Sequence, residues 1–392
     1  MPKAFVVSQH FFPSTAATSQ LATDLVDHLH YKSHVIEVIT SSPSDCRAPV
    51  KPYTIYRTQS NRNSSSSIYS KALSGFLFSF HLAIYLLRNS TPADKILIFS
   101  NPPFIVFVAL LNKIAKGVPY VFVFQDLFPQ TASVTGILPS VGPFYNLCKS
   151  AIKYSIKQSE TTIVLTKNMA KRVEVDFGIT SNILTIPNWA VQDDQVIVKR
   201  SNNPLAVKWN VHDSFVVQYS GNFGRLHDIT TILEAARLLC THNIKFMFIG
   251  DGYKKHQIKA YIDNLGLRNV ILYPYQPLDQ LHLSLALADV SLISQLHQGY
   301  DCVAPSKYYG ILASSKPVVY LGSDNSDIAK LTRTYRNGIT VTPGEVKELA
   351  ESILYLYNHR EVCVSMSKNS RTLYENLFNR ELSFQAYSYL LR

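Results

Sequence analysis

The stretch Asp301-Cys-Val-Ala-Pro-Ser-Lys-Tyr-Tyr-Gly-Ile-Leu-Ala-Ser-Ser-Lys-Pro-Val-Val319 sets a Pro-Ser-Lys turn ahead of a short apolar helix and a short apolar strand. Backbone N–H donors and the positive end of a helix dipole favour an anion at such a start, and Lys307 adds a full charge. The same pattern also serves plain helix capping, so the turn alone leaves both readings open. Lys316 to Tyr320 reads as a buried strand, which makes the segment one helix-to-strand step of a parallel α/β domain.

Working outward, further β-rich runs alternate with helical stretches in both halves of the 392 residues. Residues 4–8, 35–40, 95–100, 120–124, 161–165 and 183–186 form one series. Residues 215–219, 245–249, 270–273, 290–293, 317–320 and 338–341 form the other, with a helix expected over 230–241. The polar stretch through Asp193 and Asp194, then Lys199 to Pro204, reads as a hinge. The expectation is two doubly wound domains, 1–195 and 196–373, with ligands at the carboxyl ends of their strands and a cleft where the two face each other.

Three more loops of the second half follow strands. Gly221-Asn-Phe-Gly-Arg-Leu-His-Asp228 offers glycines that let backbone amides approach a diphosphate, with Arg225 and His227 as added donors. Gly250-Asp-Gly-Tyr-Lys-Lys255 places Lys254 or Lys255 within reach of the same charge, although its glycines also suit a plain tight turn. Tyr273-Pro-Tyr-Gln-Pro277 is a stiff turn that either faces a nucleobase or is an ordinary proline turn.

Taken in order, these motifs resemble the family 4 glycosyltransferases of GT-B fold, in particular bacterial transferases of O-antigen, colanic-acid and other exopolysaccharide pathways. The resemblance rests on Phe11-Phe-Pro13, Asn101-Pro-Pro103, Gln125-Asp-Leu-Phe-Pro129, Ile186-Pro-Asn-Trp189, Tyr219 to Gly224 with His227-Asp228, Gly250-Asp-Gly252, Ala288-Asp289 and Pro305-Ser-Lys-Tyr308. It implies a nucleotide-sugar substrate and no cofactor, held by Gly221, Asn222, Gly224, Arg225, His227, Gly250, Lys254, Ser306, Lys307 and Tyr308, with the base near Tyr275 and Gln276. It also implies a retaining reaction, an acceptor over the first domain and a last helix, 374–392, that crosses back to that domain. Many members carry two Glu with seven residues between them in the opening segment. Here those positions are Cys302 and Gly310, and Asp301 is the nearest substitute for holding donor hydroxyls.

Glycosyl transfer needs a stabilised leaving group, a positioned acceptor hydroxyl and a group that takes its proton. Asp126, just after a strand, is the first candidate for the last two roles, against helix capping as its plain reading. His10 is the second, against an ordinary loop hydrogen-bonder. No Asp-x-Asp occurs, so a metal-bridged diphosphate is not expected. His28, His30 and His34 beside Asp24 and Asp27 match no familiar metal spacing.

Net charge +11 and pI near 9.2 call for an acidic partner. Residues 46–93 hold Arg47, Lys51, Arg57, Arg62, Lys71 and Arg88 and no acid, around the apolar run 72–87. That run is either a core helix or an interfacial helix meeting anionic lipid. No nucleic-acid module is present. Five scattered cysteines and the strand-like start, with no signal peptide, point to the cytoplasm, at or near the inner face of the membrane. Two other functions fit the same fold: a nucleotide-sugar epimerase, and a membrane-associated subunit without activity.

Overall fold

The computed structural model describes residues 2–32, 34–43, 49–58, 68–191 and 198–392, the side chains of residues 68, 69 and 71 excepted. The chain divides into two compact units: Met1–Val191 with Cys302–Ala304 and Glu381–Arg392, and Gln192–Asp301 with Pro305–Arg380.

The first unit runs β1 (Lys3–Val7), α1 (Ala17–Tyr31), β2 (Val35–Thr40), β3 (Thr54–Arg57), α2 (Ile68–Asn89), β4 (Lys95–Phe99), α3 (Val106–Lys116), β5 (Tyr120–Phe124), α4 (Gln130–Val134), α5 (Pro143–Gln158), β6 (Thr161–Val164), α6 (Lys167–Phe177) and β7 (Ile183–Thr185). Its sheet is parallel with order β3-β2-β1-β4-β5-β6-β7. Both faces are covered, which is why the central strands are apolar at every position rather than at alternate ones. Tyr120, Phe122 and Phe124 point into the core under α2, α3, α5 and α6, while Val121 and Val123 point into the core under α1. Edge strand β3 was not foreseen. Its four residues are at most half-buried and follow a basic, proline-interrupted stretch, so the apolar signal is weak.

The second unit runs α7 (Pro204–Lys208), β8 (Phe215–Ser220), α8 (Thr230–Leu238), β9 (Ile244–Ile249), α9 (Lys255–Leu265), β10 (Val270–Tyr273), α10 (Leu281–Ala286), β11 (Val290–Ser294), α11 (Lys307–Ala313), β12 (Val318–Leu321), α12 (Asp327–Tyr335), β13 (Gly338–Val341), α13 (Val346–Asn358) and α14 (Arg360–Leu373), and the last helix, α15 (Arg380–Leu390), belongs from Glu381 on to the first unit. Its parallel sheet has order β10-β9-β8-β11-β12-β13. The strand order reverses at β8/β11, the position where open α/β sheets present their loops to a ligand.

One expectation needs correction. The tail was expected to leave the second domain at residue 374, but Tyr374 is buried there and Phe378 meets Tyr308 and Tyr309 edge-on at 5.8 and 5.2 Å. Only Glu381 onward belongs to the first unit, where Phe384 packs on Trp189 at 5.1 Å and the Ser383 hydroxyl donates to the Pro187 carbonyl. Three residues of the His and Asp group near the end of α1 have partners within the protein. His28 lies against Phe384 at 4.4 Å, Asp24 accepts from the Trp189 indole at 2.7 Å, and Asp27 accepts from Tyr53 and Lys51. Among the described residues no three His, Cys, Asp or Glu are grouped so as to hold a metal ion.

Candidate functional site

In the second unit the loops after β8 and β9 interlock. Tyr219 and Ser220 pair with Phe248 and Ile249, and beyond the strands the Gly221 amide donates to the Ile249 carbonyl and the Phe223 amide to the Asp251 carbonyl. Gly250, at φ 150°, lies so close that a Cβ there would sit 2.0 Å from the Gly221 oxygen. Gly252, at φ 143°, would place one 2.3 Å from the Asn222 side chain. The glycines therefore permit loop-to-loop contact. The sequence reading gave them a phosphate cradle, but the amides of Gly221, Phe223 and Gly224 are already bonded inside the protein.

Positive charge at this corner comes from side chains. Lys307, the first residue of α11, directs its ammonium to Gly221, where a Cβ would lie 3.5 Å from Nζ. Nζ lies 3.5 Å from the centroid of the Tyr219 ring, is shielded from solvent and has no hydrogen-bond partner. Its loss of hydration holds its pKa well below the usual lysine range. The Lys254 ammonium donates to the His227 carbonyl at 2.5 Å. Arg225 is exposed and lies over the Tyr253 ring at 3.5 Å.

His227 is held neutral. The Gly224 amide donates to its Nδ1 at 3.0 Å, and the Tyr219 hydroxyl lies 2.8 Å from the same atom. Burial first, and the Lys307 charge second, lower its pKa to about 3. Nδ1 is thus an acceptor, and the ring's remaining N–H is its one donor. Asp228 caps α8 by accepting from Thr231.

The other sequence-selected residues fall into two groups. Tyr275 is exposed and Gln276 half-buried on the turn after β10, with the Gln276 amide donating to the Pro274 carbonyl at 2.9 Å. Asp301 is half-buried, and Ser306 is exposed and makes no capping hydrogen bond. Tyr308, expected at the donor, is buried with its ring edge-on to those of Phe378 and Tyr309. Tyr219 was missed, because an aromatic ring ending a strand carries an ordinary core signal and only its contact with Lys307 marks it.

In the first unit Asp126 follows β5 and forms an isolated antiparallel bridge with Val303, while the Leu127 amide donates to the Cys302 carbonyl at 2.9 Å. Cys302 is fully buried in that unit's core. A carboxylate at this position would be desolvated among apolar side chains, which is a physical reason for the thiol. Asp126 is exposed, yet the surrounding protein reduces hydration of its carboxylate enough to raise its pKa to about 6. His10, after β1, is half-buried and its pKa is lowered by burial.

Residues 205–373 match the family described as glycosyl transferases group 1, and residues 18–190 match glycosyltransferase family 4. The chain belongs to the family 4 glycosyltransferases. This transferase is 22% identical over 355 residues to the probable glycosyltransferase WbjE of Pseudomonas aeruginosa, covering 90% of this chain and 89% of that protein. It is 28% identical over 195 residues, 48% of each chain, to the putative colanic acid biosynthesis glycosyl transferase WcaI of Escherichia coli (strain K12). Among solved structures, sucrose-phosphate synthase from Thermosynechococcus elongatus aligns at TM-score 0.81 and 14% identity, over 100% of this chain and 98% of that one. Anabaena HepE in complex with UDP-glucose aligns at TM-score 0.75 and 14% identity, over 100% and 99%. WaaG, a glycosyltransferase involved in lipopolysaccharide biosynthesis, aligns at 0.74 and 14%, over 99% of both. The transferase has the GT-B fold.

Proposed function

We propose that this transferase moves a sugar from a nucleoside diphosphate sugar to a hydroxyl of a glycan or lipid-linked acceptor in cell-surface polysaccharide assembly, with retention and without a metal ion. The observation that carries the reading is the buried, unpartnered Lys307 ammonium beside Gly221. A cation in that state is stabilised by an anion, and a diphosphate brings one with full charge. The relatives named for polysaccharide biosynthesis, and the neighbour seen with UDP-glucose, point to the same substrate class.

In the reaction the acceptor oxygen forms a bond to the anomeric carbon as the bond to the diphosphate oxygen breaks. The nucleoside diphosphate leaves with the electron pair. Lys307, Arg225 and Lys254 supply positive charge, strongest from Lys307 because water does not screen it. The acceptor proton passes to a base, for which Asp126 is the candidate: its raised pKa leaves it ionised at neutral pH and basic enough to take a proton. The absence of any Asp-x-Asp agrees with neutralisation by these cations.

A thermal-shift panel of uridine, guanosine and adenosine diphosphate sugars selects the donor, since ligand binding raises Tm. Transfer to lipid-linked and free glycans, with the product anomer assigned by NMR, then tests the reaction. Stabilisation by one donor and an α product from an α donor support the reading. Accumulation of an isomerised donor without any acceptor would make the protein an epimerase.

A further inference from the structure

Helix α2 is apolar on both sides. Phe78, Leu82 and Leu86 enter the first unit's core. On the opposite side Leu73, Phe76, Phe80, Ile84 and Leu87, spaced three or four residues apart, form a stripe open to solvent, with Phe76 67% exposed. The helix has 22 residues, about 33 Å of length. The core helix expected over 72–87 is thus present on one side, and the other side is exposed.

The stripe is not isolated. Helix α2 packs against α3, and α3 against α5. Leu111 and Ile114 of α3 and Phe144, Leu147 and Tyr154 of α5 are also exposed, Leu147 by 65%. None of the three helices contains an Asp or Glu. Between Asp94 and Glu160 the sequence has one acid, Asp126. Cations are present throughout: Arg88, Lys113, Lys116, Lys149, Lys153 and Lys157. Lys113 and Lys116 direct their ammonium groups to carbonyls near the ends of α5 and α2, to Gln158 at 2.5 Å and Leu87 at 2.9 Å.

In the basic region expected to carry the membrane contact, two of the described cations are engaged within the protein. Lys51 is paired with Asp27 and Arg57 donates to the Ser42 and Phe12 carbonyls. Arg47, Arg62 and the Lys71 side chain lie outside the described residues.

From the apolar stripes and the charge pattern we infer that the outer face of α2, α3 and α5 docks on an anionic lipid bilayer. Such a surface offers an apolar interior to the stripes and phosphate to the cations at once. A second copy of this chain would set like charges against each other across a two-fold contact. Among the described residues no helix is long and apolar enough to cross a membrane, so the contact lies in the interface.

The test needs neither donor nor acceptor, so its outcome is separable from that of the transferase assay. The full chain is floated with vesicles of equal parts phosphatidylglycerol and phosphatidylcholine, and with phosphatidylcholine alone. Wild type rises with the anionic vesicles, less with neutral ones, and less again in high salt. Leu73→Gln/Phe76→Gln/Phe80→Gln weakens partitioning by about tenfold or more while Tm and nucleotide binding are kept. Lys153→Glu/Lys157→Glu weakens it as well, and Val175→Gln, an exposed apolar site on α6, does not. The inference is overturned if wild type stays in solution with both vesicle types, or if the triple variant floats as wild type does. It is also overturned if wild type is a dimer that the triple variant dissolves and no vesicle binding occurs, which would make the face a contact between copies.

Discussion

The Lys307 ammonium lies 3.5 Å from the centroid of the Tyr219 ring and has no hydrogen-bond partner. A cation held this way is paid for by the rest of the fold unless an anion joins it. Replacing it with an apolar side chain of similar length should therefore help the free protein. Lys307→Met is expected to stabilise the second unit by about 1–3 kcal/mol, read as a higher Tm by calorimetry. A lower Tm would show that the ammonium is stabilising without ligand.

His227 makes the transferase acid-labile. Its pKa falls from an ordinary 6.5 to about 3, so below pH 6.5 the unfolded chain takes up a proton that the folded one does not. The contribution is fully present above pH 6.5 and is lost as pH drops toward 3, on the order of a few kcal/mol in all. His227→Gln should flatten that part of the stability profile in urea titrations. An unchanged slope would mean that the ring is not buried neutral.

Asp126 predicts an acidic limb in the rate. Its carboxylate is the basic form, so kcat/KM should fall below about pH 6. Asp126→Asn should cost about 100-fold or more in transfer with donor binding unchanged. Full activity in that variant would move the proton-accepting role elsewhere.

Gly250 tests the interlocked loops. Gly250→Ala meets both the positive φ and the Gly221 oxygen, and should destabilise the second unit by about 2–4 kcal/mol by denaturant titration. A neutral result would show that the loops separate freely.

Phe384 tests the return of the tail. It is buried between Trp189 and His28, so Phe384→Ala should lower the stability of the first unit by about 3–5 kcal/mol. A loss confined to the second unit's transition would contradict the assignment of residues 381–392.

Much of the fold was legible: Tyr120–Phe124, buried at every position, has the limits read from its unbroken apolar run, and Val35–Thr40, Val270–Tyr273 and Gly338–Val341 also have the limits read from sequence. Edge strand β3 left no such run. At the site, sequence order brought Gly221, His227 and Lys307 to one corner, since all follow strands of one sheet. Which atoms would face a ligand was not legible. Tyr308 neighbours Lys307 in sequence but is buried edge-on to Phe378, because successive helical residues diverge by about 100°. The loop amides look available in a Gly-rich sequence and are used by the neighbouring loop. The outward stripe of α2 was equally hidden, since apolar residues on both sides of a helix do not say which side is covered.

The central claim, that Lys307 awaits a nucleoside diphosphate, is tested most directly by calorimetric titration of wild type and Lys307→Met with UDP, GDP and ADP. The account predicts that one of the three binds wild type and binds the variant about 100-fold more weakly, while the variant's Tm is not reduced. Equal affinity in the two proteins, or no binding of any of the three to wild type, would contradict it.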